Sequence, residues 1–255
     1  EWIENRKEIA NFPILSCNIY DKGTTDLANF TVPYVVQNHG GINVGIIGLT
    51  TISTYTSAHP KITQDFDFWN FETSVRKFYD DVIADGADIV IVLAHDSPSV
   101  LSSLASTVND LDIALFLGGH SGTPTISYVG DSMIAMAGHY ATQYAKIILS
   151  YDIVSESIVS KEGVLVNNIE GGVTPVAEVQ QVVDYWVDTI NATEIITYAS
   201  VDVYDSFPES EIGNLIADGM IHHFYWDFNF AVTNRGGGIR DYFREGNITI
   251  ADIVS

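Results

Sequence analysis

The chain has 255 residues, 46% of them hydrophobic, with 13 Tyr, 12 Phe and 4 Trp. That length buries a sizeable core in one domain or two, and that composition excludes general disorder. Eleven basic residues stand against 33 acidic ones, a formal charge of −22, which argues against a nucleic-acid polymer as partner. A small phosphate substrate stays open if a metal or an arginine supplies a local positive centre.

No apolar run approaches the length of a membrane-spanning helix. Cys17 is the only cysteine, so no internal disulfide forms, and its apolar surroundings point to burial rather than reactivity. Asn29-Phe30-Thr31, Asn191-Ala192-Thr193 and Asn247-Ile248-Thr249 fit the N-glycosylation pattern and lean toward a secretory route. The opening Glu1-Trp2-Ile3 shows no targeting peptide and reads as the inside of a longer protein.

In chain order, Phe12–Tyr20 reads as a short buried strand. Val32–Gln37 and Ile42–Leu49 flank Asn38-His39-Gly40-Gly41, a hairpin signal. Thr50–Asn70 has no clear period and is expected to loop over the sheet edge. Phe71–Ala84 places Phe71, Val75, Phe78, Val82 and Ile83 at helical spacing, and Asp85-Gly86 ends that helix. Ser99–Val108 predicts a second helix, with Val100, Leu101, Leu104 and Val108 on one face.

Ile89–Ala94 and Ile113–Leu117 are β-branched runs of the kind buried on both sheet faces. Strand, helix and strand predict a parallel βαβ unit. Each run stops at a histidine, His95 and His120, and ligands of α/β sheets collect at the carboxyl ends of strands. The two imidazoles are therefore expected side by side, although 25 residues apart, with Gly118-Gly119 allowing the bend before His120. A lone histidine at a strand end is most often structural; two at equivalent ends point to a shared metal or catalytic site.

Thr125–Val129 and Ser132–Ala137 read as paired strands around Gly130-Asp131, and Lys146–Ile153 as another strand. Glu170–Gly172 reads as a linker. Pro175 opens a helix with Val176, Val179, Val182, Val183 and Trp186 as its apolar stripe. Ile195–Tyr204 reads as a strand, Glu209–Phe224 as a helix with Ile212, Leu215, Ile216 and Met220 inward, Phe228–Thr233 as a strand, and Ile248–Ile253 as the start of a further element. In Asn234–Arg240, three glycines lie between an amide and a guanidinium, a turn whose N–H groups can face an anion, with Arg240 able to pair with phosphate.

Ala94-His95-Asp96-Ser97 and Gly118-Gly119-His120-Ser121-Gly122-Thr123 resemble the third and fourth metal-ligand blocks of the calcineurin-like metallophosphoesterases, in the 5'-nucleotidase branch. Asn234–Arg240 resembles the Asn-Gly-Gly-Gly-Ile-Arg signature of that branch's C-terminal domain. Glu211–Asp218 resembles its Gly-Asn-Leu helix. The resemblance covers nearly the whole chain.

It implies an α/β fold: part of a four-layer αββα sandwich over residues 1–172, a linker helix over 173–192, and the start of an α+β substrate-binding domain over 193–255. The strands from Thr125 onward would belong to the second sheet of the sandwich. By the same resemblance, His95 and His120 ligate one of two divalent ions, zinc or manganese, while Asn234, Gly237, Gly238 and Arg240 bind substrate. The reaction would be hydrolysis of a nucleoside 5'-phosphate or a related phosphoester, with a small-molecule nucleotide as partner and an extracellular, periplasmic, cell-surface or vacuolar location.

The family's Asp-x-His, bridging Asp and Asn-His-Glu blocks would lie upstream of the position matching Glu1. No catalytic residue is therefore assigned, and this chain alone is expected to be inactive and to hold at most one metal. Asn38-His39 is read as a hairpin turn, Asp96 and Asp131 match no family ligand, and His139 is read as a pocket-wall or structural residue rather than a ligand.

Two positions depart from the pattern. Gly122 stands where a His or amide normally reaches the other metal, so Gly122→His is expected to tighten that ion. Ser206–Ser210 lacks the arginine often found before the Gly-Asn-Leu helix. Alternatives are a nucleotide-sugar or cyclic-nucleotide hydrolase on the same scaffold, or a non-catalytic binding protein that has lost metal ligands.

Overall fold

The computed structural model describes residues 2–168, 173–206, 209–223, 230–233, 239 and 241–254. The chain forms two compact units, Glu1–Glu170 and Gly171–Ser255.

The first unit is built on a six-stranded mixed sheet. Its strands are β2 (Tyr34–His39), β3 (Ile42–Thr50), β5 (Ile89–His95), β6 (Ile113–Leu117), β7 (Thr125–Val129) and β8 (Ser132–Met136). Their spatial order is β2-β3-β5-β6-β8-β7. The inner four run parallel, and β2 and β7 close the edges antiparallel. The β2–β3 hairpin turns at Gly40 and Gly41, with φ of 64° and 98°, the left-handed pair that a two-residue hairpin loop requires.

The helices α4 (Phe71–Ala84) and α5 (Pro98–Thr107) cover one sheet face. Asn70 caps α4 by accepting from Thr73 N–H, and Ser97 caps α5 by accepting from Val100 N–H, with Pro98 in its first turn. Phe71, Val75, Phe78 and Val82 from α4 and Leu101 and Leu104 from α5 are buried together with Val90, Val92, Ala94 and Phe116. Helix α4 lies so close to β3 that a Cβ on Gly45 would fall 2.3 Å from Val82 Cγ1.

The opposite face carries Ile89, Leu115 and Met133. It packs on Ile147, Leu149 and Ile158 of an antiparallel hairpin, β9 (Gln143–Asp152) and β10 (Ser157–Asn167). This gives three layers, helix, sheet and hairpin. The hairpin covers the start of β5 and leaves Leu93 at its far end 45% exposed, so β5 is not buried on both faces along its whole length.

The rest of the unit comprises α1 (Trp2–Ile9), β1 (Ile19–Asp21), α2 (Thr54–Ser57), α3 (Pro60–Thr63) and β4 (Phe66–Phe68). Strand β1 pairs antiparallel with β4. The segment Thr50–Asn70 is therefore not a plain loop. Its two helices are single turns, too short to show a period, and β4 becomes a strand only because β1 offers a partner. The strand expected over Phe12–Tyr20 reduces to an isolated bridge, Leu15 to Val32, and to β1. The β7–β8 hairpin belongs to the main sheet beside β6 rather than to the second sheet, because the Ser132–Met136 run pairs parallel with β6. Ile83 and Val100 point outward, at 45% and 37% exposure.

The second unit contains α6 (Ala177–Thr189), β11 (Ile195–Ala199), α7 (Glu211–His223), β12 (Gly246–Thr249) and α8 (Ile250–Val254). Strands β11 and β12 pair antiparallel, and Val203 bridges to Phe243. The α6 stripe is present at the expected spacing, but Val176, Val179, Val182, Val183 and Trp186 are all exposed. Strand β11 stops at Ala199, short of the expected Tyr204. In α7, Ile212 is buried while Leu215 and Met220 are exposed. Of the strand expected over Phe228–Thr233, the described residues 230–233 lie in no strand. The linker residues Ile169–Gly172 lie outside the described residues.

Candidate metal centre at the strand ends

Because β3, β5 and β6 run parallel, their carboxyl ends share one edge. Thr50 pairs with His95 across β3 and β5, and Leu93 with Leu117 across β5 and β6. Beyond Leu117 the chain bends. Gly118 N–H donates to Ala135 O at 2.8 Å, and Gly119 N–H donates to Asp96 O at 3.2 Å. A Cβ on Gly118 would lie 2.5 Å from Met136 Cε, and one on Gly119 would lie 3.1 Å from His95 Nδ1. The bend is thus pressed against the end of β5. It delivers His120 in a left-handed conformation, φ 70°, an unusual state for a residue with a Cβ and one that collects at functional sites.

The result is two imidazoles with ring centroids 5.1 Å apart and planes at 65°. Both are exposed. For two imidazole nitrogens about 2.0–2.1 Å from one tetrahedral ion, the ring centroids fall roughly 5 Å apart. His95 and His120 lie side by side, as their places at the ends of neighbouring parallel strands required.

Among the described residues, no group of three or more His, Cys, Asp or Glu could hold a metal ion. Asp96, next to His95, turns its oxygens elsewhere: Oδ2 accepts from Thr51 Oγ1 at 2.8 Å and Oδ1 from Ser97 N–H at 2.7 Å. Asp131 sits in the β7–β8 turn, at the start of β8 and so at the opposite end of the sheet. Asn38-His39 closes β2 just before the Gly40-Gly41 turn, paired with Asn43 and Ile42, and Asn38 Nδ2 donates to Asn43 Oδ1 while its Oδ1 accepts from Gly41 N–H.

Gly122 is occupied in a way the sequence does not show. Its φ is +59°, and a Cβ there would meet His139 Nδ1 at 2.9 Å and His139 Cβ at 3.1 Å. The His139 ring fills the space a side chain at 122 would need. Gly122→His, expected from the family pattern to add a ligand, would first have to place its Cβ against the His139 ring. His139 follows β8 and opens a tight turn in which Tyr140 and Ala141 both have positive φ and Thr142 N–H returns to His139 O at 3.1 Å. Its ring also meets Tyr140 edge-on at 4.6 Å. A cavity of about 300 Å³ is lined here by Gly122, Pro124, His139, Thr142 and Asn167. Another, of about 440 Å³, is lined by Thr51, Ser53, Asn70, Asp96 and Val100.

Asn234, Gly237, Gly238 and Arg240 lie outside the described residues. Within the same block Ile239 is described and buried. It packs near Gly213 of α7, where a Cβ would lie 3.4 Å from Ile239 Cδ1.

No family model matches the chain. It is 25% identical over 262 residues to a cell wall protein of Listeria monocytogenes, covering 89% of this chain and 33% of that protein. It is 27% identical over 288 residues to a snake venom 5'-nucleotidase of Gloydius brevicauda, covering 96% of this chain and 48% of that protein. The fold superposes on a 5'-nucleotidase precursor of Thermus thermophilus with a TM-score of 0.79 and 23% identity, over 98% of this chain and 54% of that one. The resemblance to the 5'-nucleotidase family holds. The α/β class and mixed central sheet agree with it. The chain spans a third to a half of the length of these two relatives.

What the 5'-nucleotidase pattern did not reveal are the partners around the histidines. Thr51 gives no motif signal, and its bond to Asp96 exists only because β3 and β5 are neighbours.

Proposed function

We propose that the protein is a metal-dependent phosphohydrolase of the 5'-nucleotidase type, acting on nucleoside 5'-phosphates or related phosphoesters. The observation that carries this reading is the His95–His120 pair, 5.1 Å apart at the carboxyl edge of a sheet shared with 5'-nucleotidases. Divalent cations, zinc or manganese, would supply Lewis acidity and a lowered pKa of water. His95 and His120 would hold one such ion through neutral imidazoles. Two neutral ligands do not offset the repulsion between two cations a few ångström apart, so the chain by itself is expected to bind at most one, weakly. Arg240 would pair with the anionic group of a small nucleotide, and the N–H groups around Gly237 and Gly238, with Asn234, would orient it. The stretches matched in a snake venom 5'-nucleotidase and a cell wall protein support a secreted or surface-bound protein. No described helix is long and apolar enough to cross a membrane.

A non-catalytic binding protein is the second reading, favoured by Gly122, whose side-chain space His139 fills. Two experiments separate them. Zinc titration of the chain should show one weak site that His95→Ala and His120→Ala each abolish; a site indifferent to both removes the metal reading. The protein expressed with whatever its gene encodes before Glu1 should hydrolyse adenosine 5'-monophosphate, and Arg240→Ala should raise KM about tenfold. Nucleotide binding without turnover supports the second reading.

A further inference from the structure

Asp96 lies at the junction of the elements that carry the two imidazoles. Its Oδ2 accepts from Thr51 Oγ1 at 2.8 Å, reaching the end of β3. Its Oδ1 accepts from Ser97 N–H at 2.7 Å, at the first turn of α5. Its carbonyl accepts from Gly119 N–H at 3.2 Å, on the bend that leads to His120. The same carbonyl lies only 3.2 Å from where a Cβ on Gly118 would be. No other contact of that bend to the end of β5 is a hydrogen bond among the described residues; the remainder is packing of Gly119 on the His95 ring.

We propose that Asp96 is a positioning residue that sets the separation of His95 and His120. The carboxylate fixes the backbone of residue 96 from two sides. That backbone aims the carbonyl at Gly119, and Gly119 sets where His120 emerges. Thr51 is in turn held by Ser53, whose Oγ lies 3.0 Å from Thr51 Oγ1, so the network runs from the β3 end to His120. A plain strand-ending aspartate would need only the bond to Ser97. The additional reach of the carboxylate to Thr51 ties the end of β3 to the backbone whose carbonyl holds Gly119. Outer partners of metal-binding histidines act in this way, by fixing ligand orientation.

The proposal rests on reading His95 and His120 as ligands of one cation, so the test has readouts with and without metal. Imidazole Cε1–H signals of the chain are followed by NMR during zinc titration, assigned with His95→Gln and His120→Gln. Asp96→Ala should weaken zinc binding about tenfold or more. In the metal-free chain it should also abolish the ring-to-ring Overhauser effect between His95 and His120 and speed exchange of the Gly119 amide. Asp96→Asn keeps an acceptor for Ser97 N–H and gives Thr51 Oγ1 a donor, so it should stay within about threefold of wild type. Ser132→Ala serves as the stability control. It removes a buried bond to Ile113 O, 2.7 Å, at the far end of the sheet, and should leave zinc affinity unchanged.

Folded Asp96→Ala with wild-type affinity, ring contact and Gly119 exchange overturns the proposal. So does Asp96→Asn weakening zinc as much as Asp96→Ala, since charge rather than positioning would then be at work. If Asp96→Ala does not fold, Thr51→Val cuts one arm alone and is read the same way. If wild type shows no zinc response at either ring, the metal reading fails, while the ring contact and Gly119 exchange still decide the role of Asp96.

Discussion

Gly122→Ala is the sharpest single probe of how the edge at the strand ends is built. The backbone at 122 is left-handed, φ +59°, which costs a residue with a Cβ about 1–2 kcal/mol. The new methyl would sit 2.9 Å from His139 Nδ1, 3.1 Å from His139 Cβ and 3.3 Å from His139 Cγ. Contacts that short force a shift, at an overpacking cost of about 1–3 kcal/mol. The unfolded chain loses entropy on the same change, which returns roughly 0.4–1 kcal/mol. The net expectation is a loss of about 1–4.5 kcal/mol, a fall in Tm of ~2–18 °C for a unit of this size. Adding His139→Ala removes the ring contacts but neither the Cβ contact nor the backbone strain. The double variant should therefore recover part of the loss, with a coupling of about 1 kcal/mol or more. Differential scanning calorimetry of the four proteins reads both quantities. Gly122→Ala as stable as wild type, or a double variant that recovers nothing, would show that the His139 ring does not fill the space beside Gly122.

Further outcomes are expected away from the site. Arg76 joins α4 to the turn before β6, bonding Asp110 at 2.7 and 2.8 Å, Thr107 O at 2.6 Å and Glu72 at 3.1 Å, and its guanidinium holds the Asp110 carboxyl below the usual carboxylate range. A depressed folded pKa gives stability that is present above the unfolded value, about 3.9, and is lost as pH falls through the folded one. Asp110→Asn should thus lower the urea midpoint at neutral pH and converge on wild type as pH falls below the usual carboxylate range; a pH-independent difference would refute the link. Burial pushes the Cys17 thiol up to about 12, so it should resist a thiol reagent at pH ~8 until the unit unfolds, and prompt labelling of the native chain would contradict its burial. Phe116 is fully buried between the helices and the sheet, and Phe116→Ala should cost about 3–5 kcal/mol, seen as an early urea transition of the first unit.

The sequence by itself determined the elements whose pattern is local. Helix α4 falls on Phe71–Ala84 as its 3.6-residue period dictates, and the β2–β3 hairpin turns where two glycines permit left-handed backbone. It also determined the His95–His120 meeting, because two apolar runs joined by one helix pair in parallel and so must end at the same edge. Tertiary structure decided what depends on partners distant in the chain. Strand β4 forms because β1 lies beside it, and β7–β8 joins the main sheet because β6 offers an open edge. Leu93 stays exposed because the β9–β10 hairpin covers only the other end of β5. Gly122 looked like a lost ligand in one dimension. In three it is a position whose space belongs to His139, because a strained turn 17 residues later in the chain brings that ring against it. Asp96 shows the same division: its type and place suggested a turn at the end of a strand, and only the adjacency of β3, β5 and the Gly118–Gly119 bend gives its carboxylate and carbonyl three elements to hold. Hydrophobic period is a property of neighbours in sequence, whereas hydrogen-bond partnership and steric exclusion are properties of neighbours in space.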